Sequence, residues 1–329
     1  MLTDRQNEIL KLIVLEYINL AKPVSSNLIC DRLKCSSATV RSEMAELEEL
    51  GLLEKTHTSS GRVPSEKGYR YYVDNLMKLK EISAEDMLKL KLIFNNTQLE
   101  LSDCLKKSLE IVSDITSYTS VVLGTKSHDN TLKEVNIVPL TDNSMIVIVI
   151  TDKGFVEHKT INVEGISLEE IKKTVNLINN LIVGTPIDEV SSKLEFEVKP
   201  IISNYVKEHE RLYNVFYNVF TNFTTTNIDV VGKKNILKLP EFSNVEKVRN
   251  IMDKLDDSNI ENIVENDDDN NIKIYIGKES NIDDDMTMIK TKYKTDKEEG
   301  TIAIIGPKRM EYDRVVNLLE FIKNNIENK

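Results

Sequence analysis

Ser36-Ser37-Ala38-Thr39-Val40-Arg41-Ser42-Glu43-Met44, followed after Gly51 by Glu54-Lys55-Thr56-His57-Thr58-Ser59-Ser60-Gly61-Arg62-Val63-Pro64, decides how this chain is read. Val40, Met44, Leu47 and Leu50 fall on one helical face, and Gly51 is suited to end the helix. The polar residues are sorted along it. From Lys34 to Ser42 there are the cations Lys34 and Arg41, the hydroxyls Ser36, Ser37, Thr39 and Ser42, and no acid. Glu43, Glu46, Glu48 and Glu49 all follow. The front half can approach phosphates and the back half would repel them, which is the polarity of a helix that reads DNA with its amino-terminal residues.

Working outward, residues 54 to 64 form a compact loop between two short extended pieces, with Gly61 able to take a positive φ, and read as a wing. Lys55, Arg62, Lys67 and Arg70 oppose only Glu66 between residues 55 and 73. Upstream, Thr3-Asp4-Arg5-Gln6 has capping-box spacing, and Ile9, Leu10, Ile13, Val14, Tyr17 and Leu20 make one apolar stripe. Ala21-Lys22-Pro23-Val24-Ser25-Ser26 breaks that helix, and a short second one runs from Ser26 to about Leu33.

Residues 1–80 therefore read as a winged helix-turn-helix that binds double-stranded DNA. Its candidate contacts are Lys34, Ser36, Ser37, Thr39, Arg41 and Ser42 on the helix, and Lys55, His57, Ser59, Ser60, Arg62, Lys67 and Arg70 in and after the wing. The alternative is a ligand- or chaperone-sensing regulator whose amino-terminal module contacts protein; it would lack the salt dependence that phosphate contacts impose.

The net charge of -11 does not oppose this reading once divided along the chain. Residues 1–80 hold 12 basic against 11 acidic side chains, leaving 31 against 43 for the rest. At 329 residues, two or three domains are expected. The longest aliphatic run, Met145 to Ile150, is far too short to cross a bilayer, and the amino terminus has no basic start followed by an apolar stretch, so a cytoplasmic protein without membrane contact is expected. Cys30, Cys35 and Cys104 have neither disulfide-like nor metal-like spacing, and His57, His128, His158 and His209 are scattered. Gly306-Pro307-Lys308-Arg309 lacks phosphate-loop spacing, and Asp267-Asp268-Asp269 lacks the alternation and glycine of a calcium loop. No catalytic constellation is present in the sequence, so no cofactor and no enzyme activity are expected.

Beyond the reader, Ser83 to Tyr118 is helical in pattern, and strands are expected at Ser120–Leu123, Glu134–Pro139, Ser144–Ile150 and Phe155–Ile161. Helices follow at Ser167–Val183 and Glu195–Phe223, the second with Phe216, Val219 and Phe220 on its apolar face. Strands resume at Lys273–Ile276, Met286–Tyr293 and Thr301–Ile305 before a last helix from Glu311 to about Asn325. The body is α+β, split by a helical insert.

Several blocks carry a specific resemblance: Leu2-Thr3-Asp4-Arg5-Gln6, Pro23-Val24-Ser25-Ser26, Ser37-Ala38-Thr39-Val40-Arg41, His57 to Pro64, and Gly68-Tyr69-Arg70-Tyr71-Tyr72-Val73-Asp74. Gly232-Lys233-Lys234-Asn235-Ile236-Leu237, Tyr275 to Glu279 and Gly306 to Tyr312 extend it through the chain. The sequence resembles the heat-inducible transcription repressor family HrcA. The resemblance implies a homodimeric repressor of chaperone operons that binds an inverted-repeat operator, the CIRCE element, is released on heat stress and is kept active by the GroE chaperonin. It also implies a GAF-like antiparallel-sheet domain interrupted by an inserted dimerisation domain. The boundaries expected are 1–80 for the reader, 81–152 for a linker helix and the first part of the GAF-like domain, 153–223 for the insert and 224–329 for the second part. Phe216, Val219 and Phe220 are the candidate dimer contacts.

Overall fold

The structure, a computed structural model, describes residues 2–56, 61–96, 99, 101–124, 131–141, 143–152, 154, 156–163, 165–205, 213–214, 216–218, 220, 228–264, 270–295 and 299–328. The chain forms two compact units, the first from residues 1–123 and 228–329, the second from residues 124–227.

The reader begins the first unit. Helix α1 (Asp4–Leu20) opens with the capping box read from sequence: Thr3 Oγ1 accepts from Gln6 N at 3.2 Å, and Gln6 Oε1 accepts from Thr3 N at 3.0 Å. Ser25 caps α2 (Ser26–Leu33), and Ser36 caps α3 (Ser37–Glu49). The α2–α3 turn is closed by Lys34 at φ 53°, and α3 stops where Gly51 takes φ +74°. Strands β1 (Leu53–Lys55) and β2 (Arg62–Pro64) pair antiparallel as the base of the wing, in the register Lys55↔Arg62. Ile9, Leu10, Ile13, Ile29, Val40, Leu47 and Leu53 make the inside of this bundle, each no more than 1% exposed.

Helix α4 (Glu66–Tyr71) runs on into a single π-helical stretch, Tyr72–Leu76. Gly68 lies against the end of α3: a Cβ there would stand 2.0 Å from the Leu52 carbonyl oxygen. Ser65 Oγ accepts from Gly68 N at 3.0 Å and donates to Gly51 O at 2.6 Å.

The helical pattern of residues 83–118 resolves into α5 (Ala84–Phe94) and α6 (Leu101–Thr116). After them, β3 (Thr119–Gly124) leads out of the first unit and β7 (Ile228–Val231) returns to it. Helices α10 (Val245–Lys254) and α11 (Asp257–Val264) follow. Strands β8 (Lys273–Ile276), β9 (Met286–Lys294) and β10 (Glu299–Pro307) and helix α12 (Tyr312–Glu327) complete the unit. Its five-stranded sheet has the order β7-β3-β10-β9-β8.

Alternation along β10 shows why helices cover both faces. Ile302 and Ile304 belong to one apolar cluster with residues of α5, α6 and α12, while Ala303 and Ile305 belong to another with Ile251 of α10, Leu255 at its end and Ile260 of α11. The first cluster continues without a break into α1, α3 and α4, and Tyr69 of α4 lies 5.9 Å from Tyr312 of α12, ring centre to ring centre. Reader and sheet are thus parts of one core.

The second unit holds its own three-stranded antiparallel meander, β4 (Leu132–Thr141), β5 (Ser144–Thr151) and β6 (Val156–Asn162). Helices α7 (Leu168–Ile182), α8 (Ile187–Lys193) and α9 (Lys199–Tyr205) accompany it, with a π-helical stretch, Leu194–Val198, between the last two. Three expectations differ from the structure here. The second unit starts near residue 124 rather than 153, because β4 and β5 pair with β6 and bury Val135, Val147 and Val149 against Ile171, Val175 and Ile178 of α7. The helix expected from Glu195 begins at Ile187. Phe216 and Phe220, expected as dimer contacts, are 1% and 0% exposed and pack in the core of this unit; Val219 lies outside the described residues.

Candidate nucleic-acid interface

Ser36 organises the front of the recognition helix. Its Oγ accepts from Thr39 N at 3.1 Å and lies 2.8 Å from Thr39 Oγ1, which fixes the first turn of α3. Lys34, Ser36, Arg41 and Ser42 are exposed, and Ser37 and Thr39 are half-buried. Two residues absent from the sequence-derived set join them. Arg41 Nε donates to Ser26 Oγ at 3.2 Å, and Ser37 Oγ donates to Asn27 Oδ1 at 3.3 Å, so the first turn of α2 aligns the polar front of α3. Ser26 and Asn27 showed only as the start of a short helix; nothing in local spacing reveals partners 15 and 10 residues away.

The back half of α3 faces differently. Glu43 lies 3.6 Å from Arg5 of α1, Glu46 accepts from Gln6 Nε2 at 2.9 Å, and Glu48 accepts from Arg62 Nε at 2.7 Å. Three of the four acids that would repel phosphate are thereby committed to partners within the reader. The helix end adds cationic support, since exposed Lys67 donates from Nζ to Leu50 O at 2.9 Å and satisfies a terminal carbonyl.

The basic residues of the wing separate into two groups. Lys55 is exposed at the end of β1. Arg62 is only 16% exposed; its guanidinium pairs with Glu48 and also donates to Gly61 O at 3.5 Å. Arg70 faces away from α3: it donates to Ile274 O of edge strand β8 at 2.6 Å and pairs with Glu279 and Asp74. His57, Ser59 and Ser60 lie outside the described residues. Gly61 does not take the positive φ expected of it; its constraint is space, because a Cβ would come 2.9 Å from Pro23.

An exposed, acid-free helix front with hydroxyls and a directed guanidinium can bond phosphates and base edges. Among the described residues no group of His, Cys, Asp or Glu is arranged to hold a metal ion, and no helix is long and apolar enough to cross a membrane.

Comparison with known proteins gives concordant matches. Residues 1–76 match the profile described as the winged helix-turn-helix transcription repressor, HrcA DNA-binding, and residues 102–316 match the HrcA protein C terminal domain. The heat-inducible transcription repressor HrcA of Bacillus pumilus (strain SAFR-032) is 38% identical over 335 residues, covering 100% of this chain and 98% of that protein. A solved structure described as a hypothetical protein at 2.2 Å resolution superposes with a TM-score of 0.68 at 24% identity, over 100% of this chain and 98% of its own, and shares the fold.

Proposed function

The chain belongs to the HrcA family of heat-inducible transcription repressors, with a DNA-binding winged helix at its amino terminus, and from that premise we propose that it represses chaperone operons by occupying an inverted-repeat operator, the CIRCE element, as a homodimer. Heat stress releases it, the GroE chaperonin maintains its active form, and it works in the cytoplasm. In this reading residues 81–123 and 228–329 contribute a GAF-like domain, and residues 124–227 are the inserted dimerisation domain.

The observation that carries the DNA contact is the sorting of charge on α3. Its acid-free front is exposed, while Glu43, Glu46 and Glu48 are held by Arg5, Gln6 and Arg62. Recognition helices touch base edges chiefly with amino-terminal residues, so Ser37, Thr39 and Arg41 fall where readout occurs. Lys34, Ser36, Ser42 and Lys55 supply the positioning contacts to phosphate, together with His57, Ser59 and Ser60 of the wing.

Self-association is supported by the second unit's central strand. Met145, Val147 and Val149 of β5 face the core, yet Ile146, Ile148 and Ile150 on the opposite face are aliphatic as well, half-buried, and outside that core. Val138 and Val156, at 44% and 56% exposure, sit beside Ile146 and Ile150. A sheet face that meets water normally alternates to polar residues; a strand aliphatic on both faces suits a covered one. A second copy packed on this face would bury it.

DNase footprinting of the full-length protein across the promoters of the organism's chaperone operons tests the proposal. Protection of an inverted repeat whose half-site centres are an integral number of ~10 bp turns apart is expected. Equal retention of random DNA, or binding indifferent to salt, would favour a module that contacts protein instead.

A further inference from the structure

We infer that Arg62 and Glu48 form a positioning pair: Arg62 contacts no phosphate, and through Glu48 it fixes the return strand of the wing on the recognition helix. The inference rests on the DNA-binding reading of the reader and assigns it a residue that its basic character disguises.

Four observations place Arg62 as a joint. Nε and one terminal nitrogen of its guanidinium both reach the same Glu48 oxygen at 2.7 Å. Its main chain is bound in both directions to Val24, in the turn between α1 and α2, with Arg62 N to Val24 O and Val24 N to Arg62 O each at 2.9 Å. Across the wing it pairs with Lys55 of β1. Its neighbour Gly61 closes on Pro23 too tightly to admit a Cβ. The first residue of β2 is therefore tied to the α1–α2 turn, to β1 and to α3 at once.

Charge explains why this arginine is unsuited to phosphate. Its side chain is 16% exposed and Glu48 is 35% exposed, so the pair is partly withdrawn from water and neutralises itself. For the guanidinium to turn to a phosphate, Glu48 would be left unpaired on the helix that must approach the DNA. A planar guanidinium satisfies this role because its nitrogens lie in a fixed fork; the point charge of a lysine does not reproduce it, although lysine is a competent phosphate ligand. Lys55, exposed on the opposite strand, carries no such commitment to Glu48 and is the contrasting case.

The test is fluorescence anisotropy of a duplex from the organism's own chaperone promoter, titrated with full-length protein between 50 and 300 mM salt, for wild type, Arg62→Ala, Arg62→Lys, Glu48→Gln, Glu48→Ala, the Arg62→Ala/Glu48→Ala double variant and Lys55→Ala. Each phosphate contact contributes about 0.9 to the slope of log affinity against log salt. Arg62→Lys and Glu48→Ala are expected to weaken binding by about tenfold with the wild-type slope, and the double variant to be no weaker than the worse single one. Lys55→Ala is expected to lower the slope by about 1. Thermal unfolding of each variant accompanies the titration; if Arg62→Ala does not fold, Arg62→Lys and Glu48→Ala still decide. A reduced slope in Arg62→Ala with wild-type binding in Arg62→Lys and Glu48→Ala would overturn the inference, as would additive losses. If wild type itself shows no salt-dependent binding, it is the DNA-binding reading that fails, whatever the variants do.

Discussion

The Arg70 guanidinium donates to the main-chain oxygen of Ile274 at 2.6 Å, joining the helix after the wing to the outer strand of the five-stranded sheet. Glu279 holds the same guanidinium, and Glu66 accepts from Lys278 N at 3.4 Å beside it. Reader and body are thereby joined through Arg70. Arg70→Ala is expected to lower unfolding stability by about 1–2 kcal/mol, the scale of a charge-assisted bond to a carbonyl, while leaving the salt slope of DNA binding unchanged. Chemical denaturation and the binding titration check the two halves; a slope reduced by about 1 would return Arg70 to the DNA face.

Arg41 is aimed by Ser26, and it is the one cation within α3. Arg41→Ala is expected to cost about 1–3 kcal/mol of operator binding with no loss of thermal stability. Ser26→Ala should give a smaller loss in the same direction, measurable by gel shift at fixed salt. Unchanged affinity in Arg41→Ala would remove Arg41 from the interface.

Gly68→Ala is expected to destabilise the reader by about 3 kcal/mol, since the added methyl would collide with the Leu52 carbonyl. The conflict is with backbone and not with a side chain that could swing aside. Denaturant unfolding within about 1 kcal/mol of wild type would show that α4 can shift away from α3.

Burial pushes the hydroxyls of Tyr72 and Tyr118 up to about 12, and those of Tyr69 and Tyr312 upward as well. A raised value means that the folded state favours the protonated phenol. The resulting stability is complete below about pH 10, where unfolded tyrosine ionises, and is lost as pH rises toward 12. Unfolding followed by tyrosinate absorbance should therefore set in between about pH 10 and 12 and expose Tyr69 and Tyr312 together. Separate ionisation of these two tyrosines without loss of helix signal would show that the core shared by reader and sheet is not cooperative.

Ile148→Glu, on the open face of the second unit's sheet, is expected to convert a dimer into monomer in sedimentation equilibrium, with the fold retained because Ile148 lies outside the core. Persistence of the dimer would move the interface elsewhere.

The reader was legible because its signals are local. Thr3 and Gln6, Ser25 and Ser36 mark helix starts within four residues, and the acid-free run from Lys34 to Ser42 needs no partner to be recognised. What escaped is set by distant chain. Arg62 and Arg70 look alike in sequence, yet one is claimed by Glu48 on α3 and the other by a strand more than 200 residues later. Strands β4 and β5 are legible as strands, but alternation cannot say which sheet receives them; they pair with β6, and the second unit starts at 124 where the sequence reading puts 153. Helix α10 did carry a signal, Asn244 as cap with Val248, Ile251 and Leu255 at helical spacing, hidden among charged neighbours.

The central claim is that the front of α3 reads DNA, and competition binding tests it most directly. Full-length protein bound to the inverted repeat of a chaperone promoter at 150 mM salt is challenged with the same duplex or with a scrambled one of equal length. The account expects the repeat to compete at least about a thousandfold better, with a difference that shrinks in Arg41→Ala. Equal competition by the two duplexes, unaffected by Arg41→Ala, would contradict it.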